Sequence, residues 1–287
     1  MNGAHEIAAR FGLRRASGGR GWAGDCPACG YQDGLRLNER EGRALWWCAS
    51  CTDKAALAEA VTGRRAACAR QSGQPAADHA DRRAAALRLW DAALPIKGTP
   101  AQHYLATRGL VLPDGEALRF LPDAKHPSGA RCMCMIALAV DGAGRGQAVH
   151  RTYLAPGGIG KAKLAPPRAT LGPIGGAVLR LCKPHPDKPL VIGEGIETSL
   201  SAGLLTGLPA WAALSAGNMA RATLPDDVWE AWVASDHDAP GQRAAWQAAD
   251  AFMAQGRAVR VLTPDAAGAD FNDIIMQRHA AREAAHG

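Results

Sequence analysis

The sequence has few aromatic residues and no long apolar run. Only 5% of its 287 residues are Phe, Trp or Tyr, so a large aromatic core is not expected. No segment approaches the roughly 20 apolar residues of a transmembrane helix. Residues 1–20 lack the apolar centre of a signal peptide. We therefore expect a cytoplasmic protein with no membrane partner.

The chain has eight cysteines, and we expect no export signal before them. Without an oxidising compartment, metal binding or buried thiols are better interpretations of these cysteines than a disulfide framework. Hydrophobic residues make up 47% of the chain, which is close to the globular norm and excludes wholesale disorder. The length corresponds to about two domains.

Carboxylates are absent between Asp141 and Asp187, where seven lysines and arginines occur. This run belongs to a basic middle segment. Residues 81–185 carry 15 basic and 6 acidic side chains, whereas residues 186–287 carry 7 and 13. The asymmetry suggests a polyanionic partner for the middle and a cation site near the end. Two solvated surfaces of opposite charge are the alternative interpretation.

Sequence patterns divide the chain into five segments. Residues 1–62 form a small cysteine-containing unit, and residues 63–80 are a polar linker without apolar periodicity. Residues 81–185 combine short helices with a β-like hairpin and predict an α+β module. Residues 186–279 alternate apolar strands with helices, which predicts an α/β domain with a mainly parallel sheet. Residues 280–287 are a tail.

The predicted elements have the following bounds. Helices are expected at 53–61, 82–94, 100–108, 196–206, 240–255 and 271–278. Strands are expected at 132–140, 147–154, 178–182, 190–193, 210–214, 231–235 and 258–262.

Two CxxC pairs lie in the first segment, Cys26 with Cys29 and Cys48 with Cys51, separated by 18 residues. This spacing is typical of a zinc ribbon, in which four thiolates complete a tetrahedral site. Such a site is closed, so we expect a structural Zn²⁺ ion. Trp46 and Trp47 beside the second pair either pack against the unit or stack on bases.

Acidic residues follow three predicted strands of the α/β domain. They are Glu194 after the first, Asp236 and Asp238 after another, and Asp270 and Asp273 after the last. The carboxyl ends of strands are where open α/β sheets bind ligands. Alternation along an extended chain places Asp236 and Asp238 on one side. The pattern therefore predicts a site for a hard divalent cation.

Other residues near these acids have simpler interpretations. His237 lies between two aspartates and is expected to point away from the cation. Glu197, in the first turn of a predicted helix, complements the helix dipole. Gly193 and Gly195 flank Glu194 and allow a ligand to approach the backbone closely.

The acidic segments resemble those of a TOPRIM domain: LVIGEGIETSLSA, ASDHDAPGQ and GADFNDII. The cysteine unit and the basic module before them resemble bacterial and phage DNA primases. Four further segments resemble mobile-element primases of phages and plasmids: YLATRGL, LRFLP, HRTYL and GKAKL. Many primase ribbons have a Cys and a His in the first knuckle, whereas this chain has Cys29 in the second place.

The resemblance implies a DNA primase of a phage or plasmid. It would make short oligonucleotides on single-stranded DNA from nucleoside triphosphates, by nucleotidyl transfer that uses Mg²⁺ or Mn²⁺. No helicase segment follows, so a separate helicase is the expected partner.

The resemblance also implies roles for individual residues. Glu194 would be a metal ligand or general base, Asp236 and Asp238 the main ligands, and Asp270 an assisting ligand; Asp273 would act through water. Nucleotide and DNA contacts would fall to the basic residues Lys163, Lys161, Arg151, Arg145 and Arg168. A solvated basic loop is the alternative for the last set.

Two other functions use the same features. A TOPRIM nuclease would use the same acids for hydrolysis. A non-catalytic recombination or repair mediator also joins a four-cysteine finger to TOPRIM, although the 25 residues before Cys26 lack the helix-hairpin-helix expected there. A topoisomerase needs a nucleophilic tyrosine, and Tyr31, Tyr104 and Tyr153 are not in convincing settings.

Overall fold

The computed structural model describes residues 3–16, 21–40, 43–48, 54–63 and 75–286. The chain forms two compact units, residues 1–73 and 74–287. Cys51 and Cys68 lie outside the described residues, as does most of the predicted linker. In the part of the chain that is described, no helix is long and apolar enough to cross a membrane.

The first unit is a small antiparallel sheet with two helices. Its elements are α1 (Ala4–Arg10), β1 (Arg14–Arg15), β2 (Trp22–Gly24), β3 (Leu35–Arg40), β4 (Arg43–Cys48) and α2 (Lys54–Thr62). The strands pair in chain order. Ile7, Leu35, Leu37 and Val61 are buried in its core, together with two cysteines. The core is small, so other interactions must help to stabilise this unit.

The second unit contains a ten-stranded mixed sheet. Its helices are α3 (Pro75–Asp91), α4 (Pro100–Thr107), α5 (Ile196–Thr206), α6 (Ala216–Met219), α7 (Ala239–Ala254) and α8 (Phe271–His286). Its strands are β5 (Leu94–Pro95), β6 (Leu118–Lys125), β7 (Arg131–Val140), β8 (Gly146–Tyr153), β9 (Arg168–Leu171), β10 (Val178–Leu179), β11 (Leu190–Gly193), β12 (Ala210–Ala212), β13 (Glu230–Ala234) and β14 (Ala258–Leu262).

One continuous sheet joins the predicted basic module to the α/β domain. The main strand order is β14-β13-β11-β12-β10-β7-β6-β5, and β8 pairs with both β7 and β9. The first four strands are parallel, whereas the pairs from β12 onward are antiparallel. Leu179 in β10 lies opposite Ala212 in β12. The change from parallel to antiparallel pairing therefore occurs inside one sheet.

Helices cover both faces of the sheet. On one face, Trp90 of α3 packs with Val149 and Tyr153 of β8. On the other, Tyr104 of α4 and Leu200 of α5 share a core with strand residues. Ala148 of β8 belongs to this second core, so successive residues of β8 face different helices. Burial of each large side chain stabilises the fold by roughly 1.5–3 kcal/mol relative to its exposed state.

Several elements differ from their predicted bounds. Helix α3 begins at Pro75, so residues 75–80 of the predicted linker are helical; Pro suits a first helical position and alanines extend the helix. Helix α8 continues to His286, so residues 280–286 of the predicted tail are helical; neither Gly nor Pro interrupts them. Strand β6 was not predicted, since Pro122 and polar residues interrupt its apolar pattern.

Candidate functional site

Three cysteines of the first unit converge. The sulfur atoms of Cys26, Cys29 and Cys48 all lie within 4.8 Å of one another. The distance between the Cys29 and Cys48 Sγ atoms is 3.7 Å, far beyond a disulfide bond. Two thiolates on a tetrahedral zinc ion, each about 2.3 Å from the metal, are separated by roughly this distance. The donor set therefore fits Zn²⁺, and the fourth predicted ligand, Cys51, lies outside the described residues.

The two tryptophans beside Cys48 have different environments. Trp46 packs against the buried core of the first unit. Trp47, the next residue of the strand, is 49% exposed. Alternation along β4 explains the difference, since successive side chains point to opposite faces. The structure thus leaves one indole available for contact with a partner.

Glu194 and Asp236 follow the carboxyl ends of two neighbouring parallel strands, which end at the same position in the sheet register. Gly193 of β11 and Ala234 of β13 are partners in the sheet register, and the acids follow them at the carboxyl edge. The loop after β14 returns to this edge: the backbone N–H of Gly268 donates to the carbonyl of His237 over 2.8 Å. Asp270 follows this loop. The topology therefore brings the predicted acidic residues to one edge.

The pKa values of two acids show that their charges interact. Burial raises the pKa of Glu194; nearby Arg168 opposes this rise, whereas the carboxylates of Asp236 and Asp238 add to it. Burial also raises the pKa of Asp236, as do the charges of Asp270 and Asp238. Accumulated negative charge with oxygen donors fits a hard cation. Magnesium or manganese would be held by these carboxylates.

The acids are spaced more loosely than the cysteines. Among the described residues, the cysteine group alone has three candidate ligand atoms within 4.8 Å of one another. Two of the acids also cap helices: Oδ1 of Asp238 accepts from the N–H of Gly241 at 2.6 Å, and Oδ1 of Asp270 accepts from the N–H of Asp273 at 2.8 Å. Each retains a second oxygen for another interaction. In the described structure, the acids therefore form an open group of carboxylates along the sheet edge, and their oxygens are not gathered around one point.

Asp273 completes a reciprocal cap rather than turning toward the other acids. Its Oδ2 accepts from the backbone N–H of Asp270 at 3.1 Å.

His237 is held by the returning loop, because its Nδ1 donates to the carbonyl of Pro264 at 2.7 Å. Thr198 was not predicted as a site residue, yet its hydroxyl lies 3.4 Å from Oδ1 of Asp236. Nothing in the sequence around Thr198 indicates this contact, because Asp236 is 38 residues away.

Arg168 lies near the acids. It begins β9, where its register partner is Thr152 of β8. Its charge acts on the pKa of both Glu194 and Asp236. The side chain is exposed, so it remains accessible to solutes. A cation beside a carboxylate edge can hold a phosphate group while the edge holds a metal.

Lys161 has a different environment from the one predicted. Its Nζ forms a 2.9 Å ion pair with Oε1 of Glu197, which is 15% exposed. The hydroxyl of Tyr104 donates to the same oxygen at 2.5 Å. Burial raises the pKa of Glu197, whereas the contacts with Lys161 and Tyr104 lower it. The contacts outweigh burial, and the pKa of Glu197 falls to about 2. Glu197 is therefore an ionised anchor for the loop that carries Lys161, rather than only a complement to the helix dipole.

His150 lies beside this anchor. Its Nδ1 is 3.1 Å from Oγ1 of Thr170 on the neighbouring strand. Burial and the positive charges of Arg168 and Lys161 together lower its pKa to about 4, although the Glu197 carboxylate opposes them. The imidazole is therefore neutral at pH 7. A neutral ring avoids adding a third positive charge next to Lys161 and Arg168.

The remaining predicted basic residues are elsewhere. Lys163 is exposed on the loop after Lys161. Arg145 pairs with Asp141 in the β7–β8 turn, at 2.9 Å. Arg151 alternates with His150 along β8 and lines a pocket beneath α3. The structure thus brings Arg168 toward the acids, pairs Lys161 with Glu197, and separates Arg145 and Arg151 from the acids.

One buried amide connects the helices around this site. Nδ2 of Asn272 donates to the carbonyl of Arg108 at 2.8 Å, and its Oδ1 accepts from the Arg108 guanidinium at 3.2 Å. Asn272 also contacts the hydroxyl of Ser201 on α5. It sits between two acids in the sequence, Asp270 and Asp273, but its role here is to join α8 to the segment after α4.

Two sequence families match separate parts of the second unit. Residues 189–281 match the Toprim domain, and residues 80–181 match a domain of unknown function (DUF7146). The predicted fold class is confirmed: an α/β Toprim domain follows a largely antiparallel module, and the N-terminal unit contains a cysteine cluster. No curated protein matches the sequence.

Solved primase structures share a distant likeness with the chain. A DNA primase domain from Pseudomonas aeruginosa is 18% identical, with a TM-score of 0.45 over 70% of this chain and 77% of that one. The primase fragment of the bacteriophage T7 primase-helicase protein is 16% identical, with a TM-score of 0.44 over 90% and 96%. The zinc-binding and RNA polymerase domains of Aquifex aeolicus primase are 13% identical, with a TM-score of 0.45 over 98% and 82%.

Proposed function

We propose that the protein is a DNA primase, which synthesises short primers on single-stranded DNA from nucleoside triphosphates. The observation that carries this proposal is the position of Glu194 and Asp236 at the carboxyl ends of two paired Toprim strands, near the positively charged Arg168 of the basic module. Nucleotidyl transfer needs both a cation site and positive charge for the triphosphate. The two modules each supply one of these along a shared sheet.

The proposed reaction joins a 3′-hydroxyl to the α-phosphorus of a nucleoside triphosphate. A new P–O bond forms, the bond to the β-phosphate oxygen breaks, and pyrophosphate leaves with its electron pair. Bound Mg²⁺ or Mn²⁺ would activate the hydroxyl and neutralise phosphate charge. Asp236 and Asp238 would hold this cation, and Asp270 would assist.

Glu194 has two alternative roles in this reaction. As the general base it would take the proton of the 3′-hydroxyl, and as a ligand its oxygens would bind the cation. Arg168 would bind phosphate oxygens and offset their charge. Exposed Lys163 would contact nucleotide or template. Lys161 would act differently, because its ion pair with Glu197 positions the loop between β8 and β9.

The first unit would bind template DNA, through the exposed face that includes Trp47. A structural Zn²⁺ would hold this unit together rather than take part in the chemistry. A helicase would supply the unwound strand, and the sequence resemblance indicates a phage or plasmid as the source of the replicating DNA.

The test is primer synthesis on single-stranded DNA with labelled nucleoside triphosphates and Mg²⁺ or Mn²⁺. Asp236→Asn and Glu194→Gln should each reduce synthesis by at least about 100-fold, the usual cost of removing one charge-stabilising group. Both variants should stay folded, and their metal-free forms should be slightly more stable because repulsion is relieved.

Asp250→Asn is the matched control, since Asp250 is an exposed residue of α7 outside the acidic edge. It should synthesise primers at the unmodified rate. Wild-type synthesis by Asp236→Asn would disprove the assignment of the active site. Shortened template instead of new oligonucleotides would identify a nuclease, and DNA binding without either product would identify a mediator.

A further inference from the structure

A pocket lies beneath α3, on the face of the sheet that this helix covers and away from the carboxyl edge that carries the acids. Its volume is about 320 Å³. Arg151 reaches it from β8, where His150 and Thr152 occupy the alternate positions toward Arg168. The described residues that line it are Ala85, Arg88, Leu89 and Ala92 of α3, Ala124 and Lys125 of β6, Arg151, and Leu171 of β9. A ligand bound here would therefore not occupy the proposed active site.

The lining of the pocket is strongly cationic. It includes Arg88, Lys125 and Arg151, and none of the described lining residues is acidic. Arg88 and Lys125 are exposed, and neither has an ion-pair partner among the residues that the structure describes. Three unneutralised cations around one concave surface favour an anion, and arginine guanidinium groups suit phosphate oxygens in particular.

Arg151 also has an unsatisfied donor. Its Nε is buried and lacks a hydrogen-bond partner within the described structure. Its guanidinium carbon is 5.8 Å from the ring centroid of Tyr153, a contact that orients the group without accepting its hydrogens. A buried donor without an acceptor is unfavourable, because it has lost its hydrogen bonds to water. An acceptor oxygen that reached this position would restore a hydrogen bond.

The rest of the wall is apolar. Leu89, Leu171 and three alanines offer methyl and methylene groups opposite the cations. The volume falls in the range of sites for small ligands, and such sites combine apolar walls with few polar groups. A ligand with a phosphate and a flat or apolar body matches both parts of this lining. A free inorganic anion would leave the apolar wall unused.

We propose that this pocket is a second nucleotide-binding site, distinct from the carboxylate edge. Arg88, Lys125 and Arg151 bind the phosphate, and Leu89 and Leu171 contact the sugar or base. The choice of a nucleotide rests on the proposed function. The nucleotide is either free or one unit of a single strand, and both sources present the same chemistry to the pocket.

The first measurement is the affinity of the full-length zinc-loaded chain, without added Mg²⁺, for fluorescent oligothymidylate and for a fluorescent ATP analogue. The Arg88→Glu, Lys125→Glu double variant should lose at least tenfold in affinity for one of these ligands. Where the oligonucleotide is the ligand, the log–log salt slope should fall by about 0.7 for each lost phosphate contact.

Arg82→Glu is the control, because Arg82 is an exposed residue of α3 that does not line the pocket. It should retain affinity within twofold. Loss of oligonucleotide binding alone would identify a strand as the ligand, and loss of ATP-analogue binding would identify a free nucleotide. A double variant within twofold of Arg82→Glu for both ligands would overturn the proposal.

Lysine acetylation of the unmodified chain provides a second measurement that does not depend on any variant. Saturating ligand should slow the acetylation of Lys125 at least threefold. The acetylation rate of exposed Lys97 should not change. If neither ligand changes the acetylation rate of Lys125, the proposal is also overturned. Neither measurement requires synthesis. A chain that makes no primers can thus retain this pocket, and an active primase can lack it.

Discussion

Glu197 is ionised although the protein largely encloses it. A buried carboxylate is stable only when its charge is compensated, and Lys161 and Tyr104 provide this compensation from distant parts of the sequence. The burial that should raise its pKa is therefore outweighed. This small network fastens a basic loop to the first helix of the Toprim domain.

Glu197→Gln should lower the free energy of unfolding at pH 7 by about 3 kcal/mol, because it leaves Lys161 without its buried partner. The folded-state pKa of about 2 lies below the ordinary 4.5, so the pair stabilises the fold above pH 4.5 and loses this contribution as the pH falls toward 2. Urea unfolding of the variant at pH 7, 5 and 3 should show a weaker decline with acid. Glu116→Gln, at an exposed position, should behave as the unmodified chain; an unchanged midpoint for Glu197→Gln at pH 7 would contradict the prediction.

The sequence could indicate the acids at the strand ends but not which basic residues face them. Glu194, Asp236 and Asp238 follow apolar strands, and strand polarity alone places them at one edge. Lys161 is 36 residues from Glu197, so no local pattern shows that the two form a pair. The orientations of Arg151 and Arg168 depend on pairing between β8 and β9, which has no short-range signal.

Gly193, at the end of β11, is required by packing of α5. A methyl group at residue 193 would lie 2.8 Å from Oγ of Ser199, which is itself buried and bonded to the carbonyl of Gly195. This glycine therefore has a packing role, which the sequence did not indicate: it allows α5 to approach the end of β11. At Gly195, a methyl group would lie 3.7 Å from its nearest neighbour, an ordinary contact.

Gly193→Ala should destabilise the protein by about 1–3 kcal/mol, the usual cost of overpacking a core. Gly195→Ala, two residues away, should change stability by much less. Thermal unfolding of the two variants makes the comparison directly. Equal melting temperatures would show that α5 can shift to accept the extra methyl group.

Elements with a strong local pattern were predictable, and those that depend on distant partners were not. Strands β11 and β14 and helix α5 have the predicted bounds because apolar runs or helical periodicity end at clear breakers. Strand β6 contains Pro122 and two charged residues near its end, yet it pairs along β7 with a bulge between Leu121 and Ala124. Only the neighbouring strand makes this segment extended.

The molecule as a whole has two separately built cores. The first unit contains its own buried residues around the cysteines, and the second unit has its own clusters on both faces of the large sheet. In the first unit, bound Zn²⁺ would supply folding free energy on the order of 10 kcal/mol. The metal should therefore govern the stability of one unit only.

Elemental analysis should find one zinc per chain after zinc-replete expression. Removal of the metal by acid or a strong chelator, with return to pH 7, should increase hydrogen exchange in residues 3–63 and leave residues 75–286 protected. Cys48→Ser should have the same effect without a chelator. Less than half an equivalent of zinc, or unchanged exchange in the first unit, would contradict the zinc assignment.

The two sequence families of the second unit meet inside a sheet rather than at a flexible joint. Between the matched segments, the N–H of Cys182 donates to the carbonyl of Ala210 at 3.1 Å, and Nε1 of Trp211 donates to the carbonyl of Cys182 at 2.8 Å. Separating the families would expose a strand edge on each side, with unpaired backbone groups. Recombination could therefore transfer either family to a new protein only with a matching edge, and the two are expected to be inherited as a pair.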